Sequence, residues 1–201
     1  MQSRLNSQED LFDAPQPGPE GFVYQPAFID VAQEAALLEI FSDLPFRQTP
    51  YKEYIARRRT VSYGTAYKPG TDENHSIGTM PDFLLPLRDR FGAWAGVPAG
   101  EFVQALVSEY RPGTPLGWHR DMPEYEMIVG VSLGASCRMR FRPYWPEGKV
   151  RGSEILTLDL LPRSAYQMRG TARWGWQHSV MPTNALRYSI TFRTARRSAS
   201  R

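Results

Sequence analysis

The sequence predicts a mainly β fold, either a sandwich or a jelly roll, with flanking helices. From about Glu101 onward the chain consists of short apolar runs interrupted by Gly, Pro and Asn, a pattern typical of strands joined by turns. Strands and helices do not alternate, and no Gly-rich phosphate loop precedes a helix, so a nucleotide-cofactor fold is not supported. A chain of 201 residues is expected to form one domain around a single β-rich core.

The N-terminal half is predicted to contain the helices. Residues 1–20 are polar and rich in Pro and Gly, so we expect a flexible lead-in. Asp30 can cap a first helix, which carries an apolar face through Phe41 and ends before Pro45. A second helix is predicted from about Pro81 to Gly96, again with apolar residues at helical spacing. Both helices are interpreted as buttresses that pack against the sheet.

The C-terminal half is predicted to supply the strands, each a short run rich in apolar and β-branched residues. They span residues 102–110, 125–133, 138–141, 154–160, 165–169, 176–180 and 186–194.

Two of the three histidines, His119 and His178, occur at positions where they could bind a metal ion together with Asp121. On a strand, residues two apart point to the same side, so His119 and Asp121 can reach one ion while Arg120 points away. His178, from a distant strand, would complete a set of two imidazoles and one carboxylate. Such a set leaves open positions on non-haem iron(II) for a co-substrate and oxygen, and it predicts oxidation chemistry. The same ligands also serve catalytic zinc, which leaves a zinc hydrolase as an alternative.

The last predicted strand carries an unusual polar face. Arg187, Ser189, Thr191 and Arg193 share one side, because residues alternate between the two faces of a strand. The two arginines lie about 20 Å apart along the strand, and their long side chains can lean toward a dicarboxylate bound between them. The alternative is an exposed basic strand at the edge of a sheet.

Composition excludes several other classes of protein. Cys137 is the single cysteine, so an internal disulfide framework is excluded. No apolar run approaches the roughly 18 residues needed to cross a bilayer, and no secretory signal is visible. We therefore expect a cytoplasmic monomer without a membrane partner. The basic residues are almost all arginine, since lysine occurs only at Lys52, Lys68 and Lys149, and arginine suits phosphate contacts.

The chain resembles the AlkB-like 2-oxoglutarate and iron(II) dependent dioxygenases. The resemblance rests on motifs that follow one another in the family's order over about residues 100–194. These are Leu106-Val107-Ser108-Glu109-Tyr110-Arg111-Pro112-Gly113, then Gly117-Trp118-His119-Arg120-Asp121, then Gly130-Val131-Ser132-Leu133-Gly134, and finally His178 with Arg187 to Arg193.

The resemblance implies a double-stranded β-helix, or jelly roll, with an N-terminal α/β substrate-lid region. It implies one dioxygenase domain over residues 21–195, with a helical buttress and nucleotide-recognition lid over 21–100, the jelly-roll core over 101–195 and a basic tail over 196–201. The cofactors would be Fe(II), 2-oxoglutarate as co-substrate and O2.

The resemblance also assigns roles to residues. His119, Asp121 and His178 would be the iron ligands and catalytic residues. Arg187 would hold the distal carboxylate of 2-oxoglutarate, and Arg193 would support its metal-chelating end. Other co-substrate contacts would come from Tyr110, Ser108 and Ser189.

The implied reaction is oxidative removal of N-alkyl groups from bases of alkylated DNA or RNA. Arg57, Arg58 and Arg59 precede Tyr63 and Tyr67, and such a basic run beside aromatic residues could follow a phosphate backbone while a ring stacks on a base. Trp176 is a further candidate for the base pocket. The alternative for this run is a solvated strand with ordinary arginines.

The sequence departs from the family's best-known members at three positions. Ser108 and Ser189 stand where those members have Asn, and Pro123 stands where they have an acidic residue that contacts the base. Base preference is therefore open. Two other functions also remain open: an oxygenase that acts on a protein side chain or small metabolite, and a binding module without activity.

Overall fold

The computed structural model describes residues 18–51, 54–67, 74–76, 78–145 and 155–196, with side chains described for 18–48, 57–65, 78–145 and 155–196. The predicted lead-in therefore lies outside the described residues except for 18–20, and the basic tail except for Arg196. The side chain of Tyr67 also lies outside the described part.

The described chain is mainly β, as the sequence predicted. The strands are β1 (Phe22–Gln25), β2 (Arg47–Tyr51), β3 (Tyr54–Tyr67), β4 (Asn74–Ser76), β5 (Phe102–Tyr110), β6 (Leu116–His119), β7 (Tyr125–Gly134), β8 (Cys137–Pro143), β9 (Leu156–Leu160), β10 (Ala165–Met168), β11 (Trp176–Val180) and β12 (Arg187–Ala195). The α-helices are α1 (Val31–Phe41), α2 (Leu85–Ala95) and α3 (Gly170–Trp174).

Helix α1 begins at the predicted cap. The Asp30 side chain accepts a hydrogen bond from the Gln33 backbone N–H, and the Gln33 side chain accepts one from the Asp30 backbone in return. This reciprocal pair is a capping box, which satisfies backbone donors at the start of a helix. Leu37 and Phe41 are buried on the inner side of the helix.

Helix α2 also matches its prediction, although its first turn differs. A 3-10 turn over Asp82–Leu84 leads into the helix, and Pro86 lies in the first α-helical turn, where its missing N–H has no cost. The helix ends at Gly96, whose φ of 71° is left-handed and favours glycine. Phe91 is fully buried and packs on Phe192 of β12.

Two antiparallel sheets form the jelly roll. The larger sheet has the order β1-β10-β7-β12-β5-β3-β2, with β4 paired to β3, and the smaller sheet has the order β6-β11-β8-β9. One face of the larger sheet packs on α1 and α2, and its other face packs on the smaller sheet. The larger sheet therefore lies between two cores, and the cavity of the candidate site lies between the two sheets and is lined by side chains from both.

The resemblance predicted an α/β region in the N-terminal half but gave neither the bounds nor the pairing of its strands. Strand β3 runs for 14 residues, pairs with β5 and extends the larger sheet, with β2 beyond it as the edge strand. The predicted α/β lid region thus contributes directly to the larger sheet.

Strand β12 is central and not at an edge. It pairs with β5 on one side and β7 on the other, so the alternative of an exposed basic edge strand is wrong. Arg187, Ser189, Thr191 and Arg193 are all buried on one face of this strand. Charged residues are rarely buried without partners, so this polar face needs a functional explanation.

Candidate iron and co-substrate site

His119, Asp121 and His178 come together at one end of the smaller sheet. His119 and His178 are direct cross-strand partners on β6 and β11, with ring centroids 4.2 Å apart. Asp121 follows His119 by two residues, and its Oδ2 lies 3.6 Å from His178 Nε2. One ligand atom from each residue falls within 4.8 Å of the others. Ligands about 2 Å from a shared ion lie at most about 4 Å apart, so small side-chain adjustments suffice for metal binding.

The three groups are in the protonation states that bind metal. Burial opposes the charge of the Asp121 carboxylate, but the Arg193 guanidinium outweighs burial and holds its pKa well below its usual range. Burial and the neighbouring His119 lower the pKa of His178 to about 3, and burial lowers the pKa of His119 as well. The set is therefore one carboxylate and two neutral imidazoles, as divalent metals require.

His119 is oriented by the backbone of its own strand, β6. Its Nδ1 lies 2.9 Å from the Gly117 carbonyl oxygen, which fits a proton on Nδ1 and leaves Nε2 free to bind metal.

Arg193 contacts the metal carboxylate. Its Nη2 donates to Asp121 Oδ1 at 2.9 Å, and its Nη1 donates to Gln104 Oε1 at 3.1 Å. The sequence-based prediction gave Arg193 a role at the chelating end of 2-oxoglutarate. In the structure its immediate partner is Asp121, the aspartate that would bind the ion. Arg193 would therefore influence the co-substrate from a position beside this proposed metal ligand.

Arg187 has the features of a carboxylate-binding residue. It is 2% exposed, its Nε donates to Ser132 Oγ at 3.0 Å, and its guanidinium lies 4.8 Å from the centre of the Tyr110 ring. Its Nη1 is buried and has no hydrogen-bond partner among the described residues. An unpaired buried guanidinium nitrogen is costly, and a bound carboxylate would satisfy it. The residues therefore fit 2-oxoglutarate.

Ser108, Tyr110 and Ser189, the other predicted co-substrate contacts, lie around Arg187. Ser189 is the cross-strand partner of Ser108, and Arg187 is the partner of Tyr110, so all four line the same cavity. Arg58 also lines this cavity, on the side of the Tyr110 phenol. Burial opposes ionisation of Tyr110, but Arg58 and Arg187 outweigh it and lower the pKa of the phenol.

The three consecutive arginines on β3 have different environments, because neighbouring residues on a strand face opposite sides. Arg58 points into the cavity beside Tyr110. Arg59 points to the opposite face and forms a two-pronged ion pair with Glu109, at 2.7 Å for each bond. Arg57 is exposed. Within this run, only Arg58 reaches the candidate site.

The two aromatic residues with described side chains that were predicted to contact the substrate, Tyr63 and Trp176, lie in different cores. Tyr63 packs edge-on against Phe83 in the core under the helices, on the face of the sheet away from the cavity. Trp176 lies two residues before His178 on β11 and therefore shares its face, where it packs against the second core. Trp176, on the smaller sheet, thus faces the space between the two sheets. Tyr63, on the larger sheet, faces the helices instead.

Sequence reasoning missed three residues that shape the site. Ser132 receives the Arg187 hydrogen bond, and Tyr166 lines the cavity, where burial raises the pKa of its phenol. The signal for Tyr166 was Gly130 within a strand. A Cβ at Gly130 would lie 2.6 Å from the Tyr166 ring, so glycine makes room for it. Arg173 donates to the backbone carbonyls of residues 121, 122 and 125, which fixes the loop after His119.

Comparison with known proteins identifies the family. The family described as the 2OG-Fe(II) oxygenase superfamily matches residues 23–193, which is most of the chain. The chain belongs to this superfamily. Its members use Fe(II), 2-oxoglutarate and O2, so the predicted cofactor set is confirmed. The predicted class, a 2-oxoglutarate/Fe(II)-dependent dioxygenase, is confirmed for the matched region.

Individual relatives support the predicted resemblance to AlkB-like proteins. The chain is 28% identical over 180 residues to the "Alkylated DNA repair protein ALKBH8 homolog" of Arabidopsis thaliana, covering 80% of this chain and 50% of that protein. It is also 28% identical over 180 residues to the "Alpha-ketoglutarate-dependent dioxygenase AlkB" of Escherichia coli, covering 78% and 81%. The chain thus spans half the length of the Arabidopsis relative.

A solved structure confirms the fold. The structure of OsALKBH1 superposes with a TM-score of 0.66 at 16% identity, covering 87% of this chain and 98% of that one. The predicted jelly roll is thereby confirmed. The individual site assignments, the domain boundaries, the cytoplasmic location and the monomeric state stay predictions. The α-helices in the described part have at most 11 residues, too few for a helix to cross a membrane.

Proposed function

We propose that this protein is a 2-oxoglutarate- and Fe(II)-dependent dealkylase that removes N-alkyl groups from nucleic acid bases. One observation carries the proposal. The cluster of His119, Asp121 and His178 lines the same cavity as the unpaired Nη1 of Arg187, so a metal site and a carboxylate site adjoin each other.

The proposed ligands of iron are His119, Asp121 and His178, and the proposed anchor of 2-oxoglutarate is Arg187. When bound, iron(II) with 2-oxoglutarate and O2 supplies oxidation of a C–H bond next to the base nitrogen, and the hydroxylated alkyl group is then lost as an aldehyde, such as formaldehyde from a methyl group. Ser132 fixes the Arg187 side chain through the Nε bond, which aims the other guanidinium nitrogens into the cavity.

The protein's own residues keep the metal carboxylate in place. Arg193 donates to Asp121 Oδ1, and Arg173 donates to the backbone carbonyl of the same residue. Partners that hold a metal ligand in this way fix its orientation, and their loss commonly reduces metal affinity by about 10- to 100-fold.

The substrate class rests on two kinds of support. The names of the Arabidopsis relative and of the "Probable RNA/DNA demethylase ALKBH6" of Danio rerio, which is 28% identical over 127 residues, describe proteins that act on nucleic acids. In this chain, Arg58 and Tyr166 give the cavity a cation and a buried ring beside the metal cluster. A base in a duplex would have to leave the stack to reach them, at a cost of a few kcal/mol.

The direct test is turnover of N-methylated oligonucleotides. Protein supplied with Fe(II), 2-oxoglutarate and O2 should release formaldehyde and succinate in equal amounts from DNA or RNA that carries N-methyl adenine or cytosine. Comparison of the two bases also tests the consequence of Pro123. Succinate without formaldehyde from any of these strands would contradict the dealkylase proposal but not the enzyme class.

A second candidate is an oxygenase that acts on a protein side chain or a small metabolite. It is favoured by the placement of Arg59 and Tyr63, which are engaged with Glu109 and the helical core rather than turned toward the cavity. Such an enzyme would keep the metal residues and Arg187 without any need for nucleic acid contacts. Turnover of peptides or metabolites with no turnover of alkylated strands would select it.

The two remaining alternatives make different predictions. A zinc hydrolase leaves the buried Arg187 without a purpose, and membership of the oxygenase superfamily argues against it. A binding module without activity would bind metal and 2-oxoglutarate but form no succinate.

A further inference from the structure

The outer face of the smaller sheet carries arginines stacked on aromatic rings. Arg140 and Arg142 of β8 lie over the Trp118 ring at 4.9 Å and 4.5 Å from its centre. Arg120 lies 3.5 Å from the centre of the Tyr144 ring. These five residues, with the adjacent Trp145, are called the arginine–tryptophan face below.

This face is the reverse side of the strands that carry the metal cluster. His119 and His178 point inward, whereas Trp118, Gln177 and Ser179, their neighbours in sequence, point outward because side chains alternate along a strand. Arg120 lies between His119 and Asp121 and donates from Nη1 to the Trp174 carbonyl oxygen. The arginine–tryptophan face therefore begins beside the site residues.

Among the described residues, no carboxylate neutralises the three arginines of this face. Arg140 donates from Nε to the Ser179 hydroxyl at 3.1 Å, and Arg142 donates from Nε to the Gln177 amide oxygen at 2.8 Å. Both partners are uncharged, and no carboxylate of the described residues forms an ion pair with Arg120, Arg140 or Arg142.

A neighbouring arginine shows the contrast. Arg138 lies on the same face of β8 and forms an ion pair with Asp159 of β9 at 3.1 Å. The sheet can therefore place a carboxylate beside an arginine on this face, and it does so only at the end away from Trp118.

The chemistry of this face matches a nucleic acid strand. Guanidinium groups fixed by stacking and by Nε contacts keep their other donors for phosphate oxygens. Trp145, which follows Tyr144 in the sequence, is 52% exposed and adds an accessible indole ring. A row of cations interleaved with accessible rings is the arrangement that binds single-stranded nucleic acid without sequence preference.

We propose that the arginine–tryptophan face binds the phosphodiester backbone of the strand that flanks the target base. This inference rests on the proposed function, because it assumes that the oxidised base is part of a polynucleotide. Arg120 would contact the phosphate nearest the cavity, Arg142 and Arg140 would contact phosphates farther along the strand, and Trp145 would stack on a base.

The test measures binding of an unmodified strand in the absence of iron and 2-oxoglutarate, so it is independent of turnover. Fluorescence anisotropy with a labelled single strand of about 16 nucleotides is suitable, since sites of this kind cover roughly 4–16 nucleotides. The double variant Arg140→Gln with Arg142→Gln should bind about tenfold more weakly. Its slope of log affinity against log salt should fall by about 1.4, because each lost phosphate contact on a single strand contributes roughly 0.7.

Matched variants test whether strand binding depends on the unpaired arginines of this face or only on the total positive charge of the protein. Arg138→Gln removes one positive charge from the same face of the same strand, but that charge is already paired with Asp159, so binding should stay within about twofold. Trp145→Ala removes an exposed ring and should weaken binding by roughly tenfold through lost stacking. Thermal unfolding of each variant verifies that the sheet is intact.

The outcomes distinguish this inference from the proposed function. If alkylated strands are turned over but the double variant binds and processes them as the unchanged protein does, the face does not bind the strand. If no alkylated base is turned over but the double variant loses strand binding, the result supports strand binding by the arginine–tryptophan face and contradicts the dealkylase proposal. If polyglutamate binds as tightly as the strand and with the same dependence on Arg140 and Arg142, the partner is an acidic protein and the inference is overturned.

Discussion

Asp121 is the single carboxylate that lines the cavity among the described residues, and two arginines hold it in different ways. Arg193 contacts its side chain, and Arg173 contacts its backbone carbonyl. At the scale of single residues, the site is therefore defined by one anion with fixed orientation and by one cation, Arg187, with an unpaired nitrogen.

Replacement of the anion tests the metal assignment. Asp121→Ala removes the only charged protein ligand and leaves two neutral imidazoles, so the affinity for Mn(II), used as a stand-in for Fe(II), should fall by more than about 100-fold. Isothermal titration calorimetry measures this change. Asp159→Ala, which removes an exposed aspartate of the smaller sheet, should leave the affinity unchanged. Retained Mn(II) binding in Asp121→Ala would rule out the proposed ligand set.

Replacement of the cation tests the co-substrate assignment. Arg187→Ala loses charge-assisted hydrogen bonds worth about 1.5–3 kcal/mol, so the KM for 2-oxoglutarate should rise by roughly 10- to 100-fold. Mn(II) affinity should change little, since Arg187 contacts Ser132 and Tyr110 rather than the metal residues.

Two controls accompany Arg187→Ala. Arg187→Lys keeps the charge but not the planar fork, and should recover only part of the loss. Arg88→Ala removes an arginine that pairs with Asp89 on a helix far from the cavity, and should have no effect. Equal losses of metal and 2-oxoglutarate binding in Arg187→Ala would mean that the residue supports the strand and not the co-substrate.

At the scale of elements, local patterns were predictable and long-range pairings were not. The α1 cap at Asp30 and the end of α2 at Gly96 depend on residues within a few positions of each other, so the sequence contained their signals. The partner of β3 is β5, about 45 residues away, and nothing local to the Arg57–Arg59 run reveals which side faces the cavity. For this reason the sequence identified Arg58 as a candidate but did not separate it from Arg59.

The site itself was more predictable than its surroundings. His119, Asp121 and His178 could be proposed as one cluster because metal ligands must be specific residue types at restricted spacing, and the structure brings the three together. Tyr166 and Arg173 could not, because a phenol ring and an arginine that binds backbone carbonyls have no such spacing requirement. Arg187 was identified as a site residue, whereas its Ser132 contact depends on the register of β12 against β7.

Helix α3 offers a test of positioning at this scale. Arg173 is 3% exposed and its Nη2 donates to three carbonyls of the loop that contains Asp121. Arg173→Gln cannot reach all three, so the loop should loosen and Mn(II) affinity should fall by about 10- to 100-fold. Arg173→Lys retains several donors and should recover part of the loss. A drop in the melting temperature with unchanged Mn(II) affinity would make Arg173 merely structural.

At the scale of the whole molecule, the larger sheet separates a helical core from the cavity, so ligands in the cavity bind to strands that belong to both cores. Ligand binding should therefore stabilise the entire fold. Mn(II) and 2-oxoglutarate together, each at about 100 times its Kd, should each add about 2.7 kcal/mol and raise Tm by roughly 5–10 °C for each ligand.

The rise in Tm caused by 2-oxoglutarate should also depend on whether Mn(II) is bound. The bound ion offers the keto acid end of 2-oxoglutarate a second attachment, so 2-oxoglutarate should shift Tm more in the presence of Mn(II) than without it. Differential scanning calorimetry measures both shifts, with Arg187→Ala as the control that lacks most of the 2-oxoglutarate increment. Equal 2-oxoglutarate shifts with and without Mn(II) would show that the co-substrate binds away from the ion.

The contact between Arg193 and Asp121 has a consequence for how the apoprotein behaves. The Arg193 guanidinium balances the charge of the Asp121 carboxylate, and both imidazoles are neutral, so the ligand groups do not repel one another when no ion is bound. Domains that collapse when a chelator strips their ion depend on it for folding. We expect this chain to behave differently, because its two hydrophobic cores consist of apolar residues other than the three ligand residues. We expect purified protein to survive chelation with its native structure intact and to regain its full complement of iron on simple readdition.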